Sequence, residues 1–101
     1  MGACAAVALM FSPAAHAAED ASALTKTFLE KASMSDMFEI QSSQMALEKS
    51  ENADIKQFAQ QLIADHTKTS QQLKSIVAAE NLDADLLADE LDEKHEGILE
   101  N

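Results

Sequence analysis

Two neighbouring residues, Asp65 and His66, stand inside the stretch LIADHTKTS at 62–70, in the middle of a long run with helical spacing. An imidazole beside a carboxylate can ligate a metal, move a proton, or pair with a buried acid. Which of these it does depends on where the ring points. Ile55, Phe58, Leu62, Leu73, Ile76 and Val77 recur at spacings of three and four as one buried stripe, and at about 100° per residue His66 lies within roughly 20° of the mean direction of all the apolar residues in this run. Asp65 falls about 80° away, at the edge of that face. His95 lies one turn from Leu91, on the side of Ile98 and Leu99, and Glu39 sits among the small residues Ala32, Ser35, Ser42 and Ala46. Three segments therefore each aim one ionisable side chain inward. Burying such groups is costly unless they are paired, so Glu39, His66 and His95 are expected to share one polar layer.

Three chemistries fit such a layer. It can be a hydrogen-bonded network that sets helix register. It can be a metal site, with Glu39, Asp65, His66 and His95 holding a single iron, manganese or zinc ion through mixed nitrogen and oxygen ligands, and Asp92 as a further donor. It can also support acid–base chemistry, although no nucleophile, oxyanion device or second general acid stands at a recognisable spacing. No catalytic residue is assigned, and a non-enzymatic protein is expected. A carboxylate-bridged di-iron centre needs Glu-x-x-His on two helices. Asp92-Glu93-Lys94-His95 is a loose match, but Ile63 occupies the position three before His66. Met34-x-x-Met37 could hold copper(I), yet methionines at helical spacing suit core packing. Asp83 and Asp85 begin like a calcium loop that Leu87 and the missing glycine spoil.

The elements that must position these residues are helical. Only two Gly and one Pro occur in 101 residues, and the plentiful Ala, Leu, Gln, Glu, Lys and Met are good helix formers. Helices are expected over about 24–49, 53–79 and from about 89 onward, with ends good to about two to four residues. Asn52 is placed as the N-cap of the second and Asn81 as its left-handed C-cap. In the first, Met34, Phe38 and Met45 form one stripe and the small residues around Glu39 another. Residues 80–87 read as a connection, and SMSD at 33–36 as a place where the first helix could kink. Short connections between amphipathic helices imply an antiparallel bundle. The last apolar pattern stops midway, so an incomplete bundle of about three of four helices is expected, and residues 18–101 alone are expected to be marginal.

Composition narrows the partners. The net charge is −11, from seven Lys, no Arg and eighteen acids, and hydrophobic residues make up 47%. Nine of the acids lie in 80–101 against one Lys. Such a surface repels phosphate backbones and anionic headgroups, which excludes nucleic acid and a direct membrane-binding face as expected partners. An envelope protein partner or self-association is expected instead. Residues 1–17, MGACAAVALMFSPAAHA, read as a secretory signal. The apolar stretch Ala3–Phe11 is too short to span a bilayer, Ser12 and Pro13 break it, and Ala15-His16-Ala17 is a small-x-small cleavage pattern. No Lys or Arg precedes the apolar run. Cys4, the single cysteine, stands at the start of that run, so the apolar residues follow it instead of leading up to it, which argues against a lipidation box and leaves the mature chain, 18–101, without a thiol.

The run DIKQFAQQLIADHTKTSQQLKSIVAAENL resembles the centre of the DUF4142 family. Phe58-Ala59 and then Asp65-His66-Thr67-Lys68 follow the family pattern in order, with Phe28 and Glu39 upstream and His95 before Leu99 downstream. The resemblance covers roughly 24–101. It implies a ferritin-like, four-helix bundle in the bacterial cell envelope, periplasmic or associated with the outer membrane. The family continues with a further helix bearing a second Asp-His pair, and assigns no activity. The resulting expectation is an exported envelope protein with a binding or stress-related role. The alternatives are a metal-binding redox or storage protein of ferritin-like type and a structural protein–protein interaction module.

Overall fold

The computed structural model describes residues 14–101, with side chains described from residue 23 onward. Three α-helices and one 3-10 turn follow in order: α1 at Ala14–Lys49, α2 at Ala53–Ala79, the 3-10 turn at Ala84–Leu86, and α3 at Glu93–Glu100. The described chain is all-α, built on an antiparallel hairpin of α1 and α2. The expected signal lies outside the described residues for positions 1–13, as does Cys4.

The second helix occupies the span expected of it, and its caps explain why. The Asn52 side-chain oxygen accepts from the backbone N–H groups of Asp54 and Ile55 at 2.9 and 3.1 Å, satisfying donors that the first turn leaves free. At the other end, Leu82 N–H donates to Val77 O at 2.9 Å and Asn81 N–H to Ala78 O at 3.2 Å. This is the paired bonding of a Schellman motif, and Asn81 takes the left-handed conformation it needs, with φ 57°, which a short polar side chain tolerates.

The outer boundaries differ from expectation. The first helix begins at Ala14 rather than near Leu24, because six alanines between 14 and 23 favour helix ahead of the first apolar stripe. The last begins at Glu93 rather than near Asp89, because Asp92 is the N-cap: its carboxylate accepts the His95 N–H at 2.9 Å. The connection between α2 and α3 holds the 3-10 turn, capped by Asp83, whose side chain accepts the Asp85 N–H.

The core sits at one end of the hairpin. Leu29 on α1 meets Leu73 and Val77 on α2, with Ala32, Leu86 and Leu87 packed against them. Ser33 fastens the connection there. Its hydroxyl donates to Leu29 O at 2.7 Å and accepts the Ala88 N–H at 2.8 Å, so a loop amide held against a helix keeps a partner. Leu91 is buried as the chain turns toward α3, and the Phe38 ring meets His95 edge-on with centroids 5.2 Å apart.

The apolar stripe of α2 is only partly covered. Leu73 and Val77 are buried, whereas Ile55, Phe58 and Ile76 remain 50, 63 and 51% exposed. The expectation of one buried face is corrected: the stripe is wider than one neighbour can cover, and α1 takes the Ala59–Leu73–Val77 edge alone. No helix among the described residues is long and apolar enough to cross a membrane.

Candidate functional site

The residue that answers His66 is Asp36. Its Oδ1 accepts from the His66 ring Nδ1 at 2.8 Å and from the Thr69 hydroxyl at 2.8 Å. The Asp36 side chain is 10% exposed and the His66 side chain 27%. Three elements of local structure create the contact. Asp36 belongs to the series Leu29, Ser33, Asp36, Ile40, Ser43 and Leu47, spaced by four and three, which is the edge of α1 that faces a close-packed neighbour. Leu29, Ser33, Asp36 and Ser43 are all buried. His66 and Thr69 are three apart on α2 and share a side of it. A carboxylate only accepts hydrogen bonds, so the ring presents its protonated nitrogen to Asp36 and turns Nε2 away.

The expected polar layer of Glu39, His66 and His95 is therefore corrected. His66 pairs with Asp36, and His95 pairs within its own helix start, its Nδ1 lying 2.6 Å from Asp92 Oδ1. Glu39 is half-buried and lines the opposite groove, with Ser42, Ser43, Ala46, Ile55, Phe58, Ala59 and Leu62. Asp65 is exposed and accepts from the Gln61 side chain one turn back on α2. The structure thus gathers neither Glu39 nor Asp65 nor His95 onto His66. Among the described residues no three His, Cys, Asp or Glu side chains come together in a group that could hold a metal ion.

Asp36 went unassigned in the sequence because Met34, Phe38 and Met45 looked like the inward stripe. The signal that finds it is the seven-residue repeat Leu29, Asp36, Ser43, with Ser33 and Ile40 between. Serines and an acid on that seam hide it from a search for apolar periodicity.

One titration bears on the second pair. The His95 backbone N–H, and then the His95 ring, hold the Asp92 carboxyl below its ordinary value.

The other feature of the hairpin is a groove on the side away from the Phe38–His95 contact. Phase arithmetic from the helical repeat places Leu24, Phe28, Ala32, Ser35, Glu39, Ser42 and Ala46 within about 40° of one line along α1. On α2, Asp54, Phe58, Leu62, Asp65, Thr69, Gln72, Ile76 and Glu80 lie within about 40° of another. The two lines border one groove: Phe28 and Ile76 line its one end with Thr25, Leu29, Leu73, Glu80 and Leu82, and Ala46 and Phe58 line the other. Leu24, Phe28, Ile55, Phe58 and Ile76 are large apolar side chains left half or more exposed. The structure thus defines a helical-bundle protein whose central hairpin is clasped by a buried carboxylate and, among the described residues, open along one face.

The model of a domain of unknown function, DUF4142, matches residues 11–101. The chain belongs to the DUF4142 family. No curated protein and no solved structure matches it.

Proposed function

We propose that this chain is a helix-binding protein of the cell envelope, exported by its N-terminal leader, whose open α1–α2 groove receives a helix from another protein. The observation that supports this reading is the apolar stripe left exposed among the described residues. Phe58 and Ile76 stand eighteen residues apart, five full turns, and so point the same way about 27 Å from one another along α2. Phe28 flanks the Ile76 end from α1. Scattered exposed apolar residues are ordinary, whereas a row of them along one groove suits a helix-in-groove contact. The small residues Ala32, Ser35, Ser42 and Ala46 between them would let a helix backbone approach closely.

The Asp36–His66–Thr69 contact is the clasp that holds the groove's two walls in register. The test is titration of the full chain with an uncharged amphipathic helix of about six turns, a Leu stripe flanked by Gln. Saturable one-to-one binding that the double variant Phe58→Ser, Ile76→Ser abolishes supports the reading. Both side chains are at least half exposed, so the variant is expected to fold, and circular dichroism checks that it does. Absence of binding, or binding that survives the double variant, overturns it.

A second reading rests on the His66 ring. Because Asp36 takes Nδ1, Nε2 is the nitrogen left for a ligand, and a carboxylate behind an imidazole is the usual support for metal ligation. An iron, manganese or zinc ion there would need its remaining donors from outside the described chain. Near-stoichiometric metal in the purified mature protein that disappears in His66→Ala would favour this reading. Metal-free protein would count against it.

A further inference from the structure

A cleft lies between α1 and the connection that follows α2. Met34 lines it with Lys26 and Glu30 from α1 and with Leu86, Leu87 and Ala88 from the connection. Met34 lies about 110° around α1 from the groove line and about 140° from the seam that meets α2. The cleft is therefore on the outer side of the hairpin, and a segment laid in the groove leaves it as it is. We propose that Met34 is an oxidation site, at which a hydroperoxide forms the sulfoxide and thereby releases the connection at 84–90.

Met34 is half-buried, so part of it meets solvent. Its thioether attacks one peroxide oxygen. An S–O bond forms, the O–O bond breaks, and proton transfer lets water leave when the oxidant is hydrogen peroxide. The sulfur loses two electrons and the peroxide gains them. Met37 and Met45 are also half-buried but do not line this cleft. The consequence follows from what holds the connection down. Leu86 and Leu87 pack against the Leu29–Leu73–Val77 core, and Ala88 N–H donates to the Ser33 hydroxyl at 2.8 Å. Ser33 is the residue next to Met34. Oxidation turns the flexible apolar side chain beside these contacts into a polar one. A sulfoxide oxygen needs a hydrogen-bond donor, and the water it brings competes for the Ala88 amide. The Asp36–His66 clasp, on another side of α1, is untouched. The device therefore acts on the connection and spares the hairpin.

The test treats the full chain with hydrogen peroxide, locates the added oxygen by peptide mass spectrometry and follows amide exchange by NMR. Oxygen is expected on Met34 ahead of Met37 and Met45. Exchange at Ala88 is expected to speed about fivefold or more, while the His66 and Thr69 amides keep their protection. Met34→Leu should abolish the response of Ala88 to peroxide. Met34→Gln, polar like the sulfoxide, should speed Ala88 exchange with no oxidant present. Leu and Gln are both good helix formers, so both variants are expected to fold, and circular dichroism checks that they do. Oxygen on Met37 or Met45 with Met34 spared overturns the proposal. So does an unchanged Ala88 amide after Met34 is oxidised, equal acceleration at His66 and Thr69, or a response that survives Met34→Leu.

Discussion

Two histidine–carboxylate pairs of the same chemistry do different work in this chain. His66 reaches Asp36 across thirty residues and joins two helices, whereas His95 reaches Asp92 three residues away and closes a single turn. The first acid is 10% exposed and the second 52%. Distance and hydrogen-bond type barely separate them; what separates them is what each contact prevents. Breaking the first leaves an imidazole without its partner at a helix interface, while the Thr69 hydroxyl keeps the His66 carbonyl as an acceptor. Breaking the second frees a helix start that water can solvate.

The comparison can be sharpened by substitution. Asp36→Ala should have the largest effect, lowering stability by about 2–4 kcal/mol, because it removes a carboxylate that accepts two hydrogen bonds at a buried position. Chemical denaturation of the full chain measures it. Ser33→Ala should follow at about 1–2 kcal/mol, since it strips the Ala88 N–H of its acceptor, with faster amide exchange at Ala88. Thr69→Val should cost about 1 kcal/mol and leave the Asp36–His66 bond in place. Asp92→Ala should be the mildest, loosening α3 while leaving the hairpin transition where it is. If Asp92→Ala proves as damaging as Asp36→Ala, the distinction between clasp and cap fails.

Acid offers a finer separation. The folded Asp92 carboxyl is held below its ordinary 3.8. Its contribution is therefore present above that value, and is lost as pH falls through the lower folded value. The α3 start should stay ordered at mildly acidic pH and fray only below the ordinary carboxylate range. The Asp92 side-chain resonance and the His95 amide, followed by NMR, should titrate together with a midpoint below 3.8. An Asp92 midpoint at or above 3.8 would contradict the capping geometry.

Much of the frame was legible in the residues. Asn52 and Asn81 mark both ends of α2 because capping is a local matter decided by a side chain and one backbone conformation. The inward turn of His66 followed from phase alone. Its partner did not follow, because register between two helices is a long-range property, and the α1 seam that sets it carries Ser33, Asp36 and Ser43 where apolar residues would have announced it. The exposure of Phe58 and Ile76 was hidden for the opposite reason. Periodicity shows that a face is apolar, but not how many neighbours cover it. Glu39, placed correctly among small residues, belongs to that open face rather than to the histidine.

The central claim is that this face is the binding surface, and its most direct test is to map a bound helix. With the uncharged Leu-stripe helix added to isotopically labelled full chain, amide shifts should move along Phe28, Glu39, Phe58, Leu62 and Ile76, with Asp92 and His95 undisturbed. Shifts confined to the Phe38–His95 side, or none at saturating peptide, would contradict it.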